Sequence, residues 1–414
     1  MQNASVGIEN LQVVSTAART GYRLDIETSA ARIVEALAGG QQANVNLVVA
    51  VLPPLVSDQG IVEAKATIER LLSGPVTIGF SGRNWVLSGG VVSTRSVERS
   101  WTVERAQLAA AITLEQRKSG DQVVYSARFN ADKFTSFFTT IAKELNRGIV
   151  NARFDRDART GRLTPIAVSQ EGRTVDVAEN VKVLAAAAAS ENRSFPLAVK
   201  ITKPAVTVDQ ADRLGIKELI SQGLTSYAGS SASRAYNIQL AAAKMHGVVV
   251  PPGGVFSLLE ALGPITAEAG FQEGFAIVGE YTVRDVGGGV CQVATTTFRA
   301  FYSGGFQIVE RNPHRYRLRI YEIKGGGVGL DAAIYDPGRD LRFKNNTNSY
   351  LLVQTDASDP NSFTVSIYGT SPGWSVTIRD PVIKPGQPHG PRLPAVEDPT
   401  RPVGPRIRVP PPED

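Results

Sequence analysis

Apolar and polar positions divide the chain into segments of different period. Near the start, Gly21-Tyr22-Arg23-Leu24-Asp25-Ile26 leads into an alanine-rich amphipathic run through Leu37. The apolar stretch Val45 to Val51 follows and stops at Pro53-Pro54. The same order returns about 150 residues later, as Gly172-Arg173-Thr174-Val175-Asp176-Val177, an alanine-rich run through Ala188, Phe195 to Ile201, and Pro204. Each copy predicts a turn, short strand, helix, strand and proline stop, with Asp25 or Asp176 placed to cap the helix. The second copy has a long stretch of its own before it, strand-rich from Val76 to Val92 and helical over Ala106–Leu114 and Ala131–Leu145. The first has almost nothing before it, so the repeat predicts a truncated first copy. On that expectation any export signal or membrane anchor lies outside this chain.

Residues 207–229 read as a bridge. Beyond them, Arg234 to Lys244 carries its apolar residues on one helical face, and Val248–Val250 reads as a strand before the turn Pro251-Pro252-Gly253-Gly254. A second helix is predicted over Val293–Tyr302. Strand-like runs follow at Phe306–Val309, Arg315–Tyr321, Leu330–Tyr335, Leu341–Phe343, Tyr350–Gln354 and Phe363–Tyr368. The expected fold is α+β: two repeated α/β modules, the first truncated, then a domain of helix packed on a largely antiparallel sheet. The expected boundaries are 1–60, 61–206, 207–229, 230–375 and 376–414. Of the 24 prolines, 11 fall in the last 34 residues, which excludes a helix or central strand there and predicts an extended tail.

Composition narrows the function classes. A single cysteine excludes an intrachain disulfide framework and a cysteine-based zinc site. Three histidines, none paired with another, predict no metal, and nothing calls for a cofactor. The net charge of +5 is spread without a Lys/Arg-rich run, so no nucleic-acid partner is expected. There is no 18-residue apolar run and no signal-peptide pattern at Met1.

The candidate chemistry centres on Cys291, in Gly287-Gly288-Gly289-Val290-Cys291-Gln292, directly before the second helix. A thiol at a glycine-rich helix N-terminus is one of the few geometries that activates a cysteine, because free amides and the helix dipole favour negative charge. His314 and Asp331 follow in an order that could supply a base and its orienting group. Such a site would attack an amide carbonyl, with Cys291 as nucleophile and His314 as base and later acid. Gly289, together with the backbone or side chain of Gln292, is the candidate holder of the oxyanion. Glu310 and Arg311 flank the candidate base. Arg315 and Arg317, alternating with Tyr316 and Leu318, are candidates to bind a substrate carboxylate. The competing reading makes Cys291 a small packed hydrophobe, His314 a turn residue and the arginines a solvated face.

The set Pro251-Pro252-Gly253-Gly254-Val255-Phe256-Ser257, Gly287 to Thr297, Val309-Glu310-Arg311-Asn312-Pro313-His314, Gly329-Leu330-Asp331-Ala332 and Phe343 to Thr347 resembles the VanW family, named from vancomycin-resistance gene clusters. The two repeats are similar to the peptidoglycan-binding domains that often precede a VanW domain. The resemblance implies an exported protein of the bacterial envelope, at the cell surface, with peptidoglycan or its stem peptides as partner. Membrane contact would come only through an anchor missing from this chain. It implies no reaction. Two functions are therefore expected to compete: a cysteine amidase or transpeptidase with a transglutaminase- or papain-like core, and a non-catalytic wall-binding or scaffolding protein.

Overall fold

The computed structural model describes residues 1–40, 44–120, 122–278, 281–314, 317–322, 327–379 and 382. Arg315 and nearly all of the proline-rich tail lie outside the described residues. Residues 1–84, 95–148 and 171–202 form one compact unit; residues 85–94, 149–170 and the chain from 203 onward form a second.

The chain begins with the hairpin β1 (Ser5–Glu9) and β2 (Gln12–Thr16), then β3 (Gly21–Leu24), α1 (Ile26–Ala38) and β4 (Val49–Leu52). Next come α2 (Val62–Leu71), the long strands β5 (Val76–Ser88) and β6 (Val91–Val103), and α3 (Arg105–Ala110). The hairpin β7 (Ile112–Ser119) and β8 (Gln122–Phe129) precedes α4 (Thr135–Leu145). A second short hairpin, β9 (Arg153–Arg156) and β10 (Leu163–Ala167), leads to β11 (Gly172–Val175), α5 (Val177–Ala188), β12 (Ser194–Pro196) and β13 (Val199–Thr202). The helix expected over Ala106–Leu114 is shorter: it stops at Ala110, and Leu114 belongs to β7. From Ile112 onward the side chains alternate in period 2, which suits a strand paired with β8.

The two copies of the repeat share hydrogen bonds as well as sequence. β3 pairs antiparallel with β4 from Gly21↔Leu52 to Leu24↔Val49, and β11 with β13 from Gly172↔Thr202 to Val175↔Val199. Asp25 accepts from the Thr28 amide at 3.1 Å and Asp176 from the Glu179 amide at 3.0 Å, so each aspartate caps its helix. Ser29 bonds the Val48 backbone, and Asn180 bonds that of Ala198 in the same place. The likeness extends further forward than the sequence pattern. A hairpin precedes each copy, and Asn3 and Asn151 accept from the backbone of Leu55 and Val206 respectively.

Burial separates the copies. Leu184 and Ala188 of α5 are 0% exposed, covered in part by Phe138 and Ile141 of α4. Their counterparts in α1, Ile33 and Leu37, are 40% and 75% exposed.

In the second unit, β14 (Glu218–Thr225) is followed by α6 (Ala232–Met245), β15 (Val248–Val250), β16 (Val255–Ser257) and α7 (Leu258–Leu262). The hairpin β17 (Glu273–Val278) and β18 (Tyr281–Val286) leads to α8 (Val290–Ser303) and β19 (Gln307–Glu310). The strands β20 (Arg342–Lys344), β21 (Leu351–Asp356) and β22 (Phe363–Gly369) complete the order. A four-stranded antiparallel sheet runs β14-β22-β21-β15, and a three-stranded one β16-β20-β19. The stretch read as a bridge thus supplies an edge strand, since Glu218–Thr225 pairs along its length with β22.

The fold is α+β, with α8 laid across β14 and β22. It lies so close that a Cβ on Gly223 would sit 2.1 Å from the Thr296 carbonyl oxygen. Buried threonines make α8 polar in sequence yet buried throughout. Thr296 and Thr297 bond carbonyls one turn back, Gln292 and Val293, so no hydroxyl is left unpaired. Two expected strands do not form. Arg319–Tyr321 is a 3₁₀ turn, and Leu330–Tyr335 makes only isolated bridges, Ala333 to Asn312 and Tyr335 to Arg339.

Candidate functional site

Cys291 is the second residue of α8. Gly287 and Gly289 before it have φ of +88° and +109°, a region that side chains other than glycine rarely adopt. Gly289 also has α6 against it: a Cβ there would lie 3.0 Å from the Arg234 side chain and carbonyl. The thiol is half-buried, and its Sγ lies 3.6 Å from the Ile334 carbonyl oxygen, to which it donates. Phe298 and Phe301 do not seal it. They stack into an aromatic cluster with Phe343, Phe256 and Phe306.

Helical and extended spacing bring Asp331 to this helix. Cys291, Thr295 and Arg299 lie at i, i+4 and i+8, one stripe of α8. They bond Ile334, Ala332 and Leu330 in turn: Cys291 to the Ile334 carbonyl, Thr295 Oγ1 to the Ala332 carbonyl and amide at 3.1 Å each, and Arg299 Nε to the Leu330 carbonyl at 2.9 Å. Four helical residues rise about 6 Å and two extended residues about 6.6 Å, so the two ladders stay in step. The Ala333 amide then donates to the Asn312 carbonyl at 2.7 Å, which sets residues 312–314 beside residues 331–333.

This brings His314 onto Asp331. The Asp331 carboxylate takes the His314 backbone N–H at 2.8 Å and the ring Nδ1 at 2.6 Å on one oxygen. The His314 side chain is 4% exposed. Burial alone would push its pKa down; the hydrogen bond to Asp331, then one to the Cys291 side chain, outweighs it and holds the ring at about 9. Burial likewise pushes the Asp331 carboxyl up, but the His314 bonds and Arg311 overcome it and hold the group below the usual carboxylate range. The direction of the shift favours the doubly protonated ring, which suits an acid better than the neutral base expected from the sequence.

The remaining expected residues have other work. The Gln292 side chain is fully buried and spent: its amide donates to Thr225 Oγ1 at 3.1 Å and the Ser226 carbonyl at 2.7 Å, and its Oε1 accepts from Arg234 at 2.7 Å. Its backbone N–H is turned back to the Gly289 carbonyl at 3.0 Å. Gln292 is thus occupied as an oxyanion donor, while Gly289 shapes the turn. Glu310 accepts from Asn312 and the Asp340 amide. Arg311 bonds the Asp331 carboxylate and carbonyl and the Gly329 carbonyl, and stacks 4.8 Å from the Phe298 ring. Arg317 forms a two-bond pair with Glu322 at 2.6 and 2.7 Å. Arg311 and Arg317 are therefore joined to the protein's own carboxylates, and Arg319–Tyr321 is a 3₁₀ turn where a strand is expected.

Two residues the sequence did not single out complete the site. Tyr321 is buried with its ring centroid 5.2 Å from that of His314, and Arg234, from the first turn of α6, donates to Gln292 Oε1 at 2.7 Å. A cleft of about 290 Å³ opens beside them, lined by His314, Asp331, Tyr321, Arg311, Pro313 and Val328 among others. Among the described residues, no group of three His, Cys, Asp or Glu side chains could hold a metal ion, and no helix is long and apolar enough to cross a membrane.

Residues 233–368, which contain all of these side chains, match the family model described as "VanW like protein". The chain carries a VanW-like domain. Over 135 residues it is 33% identical to the uncharacterized protein YoaR of Bacillus subtilis, covering 33% of this chain and 43% of that protein. Over 127 residues it is 26% identical to the vancomycin B-type resistance protein VanW of Enterococcus faecalis, covering 31% of this chain and 46% of that protein. The match thus spans less than half the length of either relative. No solved structure matches the chain.

Proposed function

We propose that this is a cell-envelope protein that binds peptidoglycan as a non-catalytic wall-binding or scaffolding protein; the second reading is that its VanW-like domain acts on stem-peptide amides through Cys291, His314 and Asp331. The observation that favours the catalytic reading is the His314–Asp331 bond of 2.6 Å, in which a half-buried carboxylate holds the ring Nδ1. An imidazole raised by its bond to Asp331 suits a proton donor on that reading. Thiolate attack forms a C–S bond to the carbonyl carbon, the C–N bond breaks, and His314 gives its proton to the departing amine. Water then hydrolyses the thioester, or a second amine takes the acyl group.

The wall-binding reading is carried by the internal pairing of Arg311 and Arg317 and by the Cys291 bond to the Ile334 carbonyl, both of which suit a packed structural element. Alkylation separates the two. With iodoacetamide, Cys291 of a catalytic site reacts well below the free-thiol midpoint of ~8.5, and His314→Ala moves the rate profile to higher pH. Slow alkylation with an unchanged profile in His314→Ala leaves the binding reading.

A further inference from the structure

Arg147, just past α4, and Arg173 of β11 lie opposite each other. The Arg147 amide donates to the Arg173 carbonyl at 3.1 Å, and the Arg173 amide to the Arg147 carbonyl at 2.9 Å. Residues that exchange both bonds of an antiparallel pair carry their side chains on one face. The two guanidiniums converge on a single neutral oxygen: Asn84 Oδ1 accepts from Arg147 Nη2 at 2.9 Å and from Arg173 Nη2 at 3.1 Å. Their remaining bonds go to backbone carbonyls, Arg147 Nε to Glu171 at 2.9 Å and Arg173 Nη2 to Arg83 at 3.1 Å. Among the described residues neither arginine has a carboxylate within ion-pair distance, and neither Nη1 has a hydrogen-bond partner. Arg173 is 4% exposed, its guanidinium 5.0 Å from the centre of the Phe80 ring and its Nε buried without a partner. Arg147 is half-buried and the more accessible of the two. Like charges placed opposite each other destabilise an antiparallel pair, and a buried cation without a counter-charge is costly. Burial first, then the field of Arg173, pulls the Arg147 pKa below its usual value, although Glu171 pulls the other way. The repeat itself does not require the pair, because Tyr22 stands at the register of Arg173 in the first copy. Glycine at 82 leaves the room: a Cβ there would lie 2.8 Å from Arg173 Nη2.

Resting on the wall-binding reading above, we propose that Arg147 and Arg173 form an anion site in the second repeat, and that the anion is a carboxylate of a peptidoglycan stem peptide. A guanidinium binds carboxylate through directed, charge-assisted bonds, and Nη1 of each arginine is left to make them. The incoming carboxylate supplies the counter-charge that the protein withholds. Asn84 holds both forks in place before the ligand arrives, so little side-chain freedom is lost on binding.

Sedimentation of the full chain with purified peptidoglycan tests this. The wall is used untreated, after hydrofluoric acid has removed phosphodiester polymers, and after carbodiimide and methylamine have then turned its carboxylates into amides. The parent is expected to bind the first two alike and the amidated wall about tenfold more weakly. Arg147→Met binds the acid-treated wall about tenfold more weakly than the parent and no longer distinguishes it from the amidated wall. Equal binding of the parent to amidated and unamidated wall overturns the proposal, as does loss of binding on acid treatment, which assigns the anion to phosphate. Equal binding by Arg147→Met and the parent overturns it too. If Arg147→Met does not fold, phenylglyoxal modification of the parent decides. Soluble stem-peptide fragments of the wall slow modification of Arg147 and leave that of the exposed Arg23 unchanged; one rate at Arg147 with and without them overturns the proposal. A parent that sediments with none of the walls overturns the wall-binding reading itself.

Discussion

Asp331 carries the largest single burden among the site residues. It receives the ring and the backbone N–H of His314 and pairs with Arg311 at 3.2 Å. The pKa of His314 is raised to about 9, so its contribution to stability is present below the unfolded value of ~6.5 and is lost as pH rises through 9. The pKa of Asp331 is lowered, so its contribution is present above ~3.9 and is lost as pH falls through its folded value. Asp331→Asn leaves a buried imidazolium without its counter-charge and is expected to cost about 3 kcal/mol between these limits. Urea unfolding at pH 7 and pH 10 checks the sign: the gap between parent and variant narrows at pH 10. Cys291, His314 and Asp331 stand out in the sequence as candidates because each sits in a short, locally distinctive motif. Tyr321 does not, because nothing within several residues marks it and its contact with the His314 ring depends on a 3₁₀ turn.

Single elements show how much a pattern can say. The lead-in to α8 was readable from its glycines, but the helix also needs a flat, close surface, and β14 supplies it at Gly223. Gly223→Ala forces a methyl against the Thr296 carbonyl and the Ala300 amide, 2.1 and 2.7 Å from the Cβ position. It is expected to cost more than the roughly 1–3 kcal/mol of ordinary overpacking, with loss of soluble protein or a lowered Tm as the readout. The residues of β14 read as a bridge because the segment mixes polar with apolar positions. Pairing with β22 is a long-range event that its own sequence does not announce. Within the expected strand Arg315–Tyr321, the period 2 is present, yet Arg319–Tyr321 is a 3₁₀ turn and Arg317 pairs with Glu322. The repeat helices make a sharper comparison. Leu184→Ala removes a fully buried side chain and is expected to cost about 2–5 kcal/mol, whereas Ile33→Ala at the equivalent place, 40% exposed, costs less than about 1 kcal/mol. Chemical denaturation of the two variants side by side reads the difference directly.

At the scale of the whole molecule, the wall-binding reading makes its own prediction. The chain sediments with insoluble peptidoglycan, and glycan stripped of its stem peptides leaves it in the supernatant. Retention by stripped glycan would move recognition from peptide to sugar. The sequence by itself determined the internal repeat, the aspartate caps and the α+β class, since each rests on contacts within a few residues or on one helical or strand period. Tertiary structure alone decided which copy of the repeat is covered, which side chains of the second unit are already spent, and how His314 reaches Asp331. These depend on surfaces that meet across long stretches of chain. The stripe Cys291, Thr295 and Arg299 matches Ile334, Ala332 and Leu330 because helical and extended rise agree over that distance, a coincidence of geometry that appears only once the two segments lie side by side.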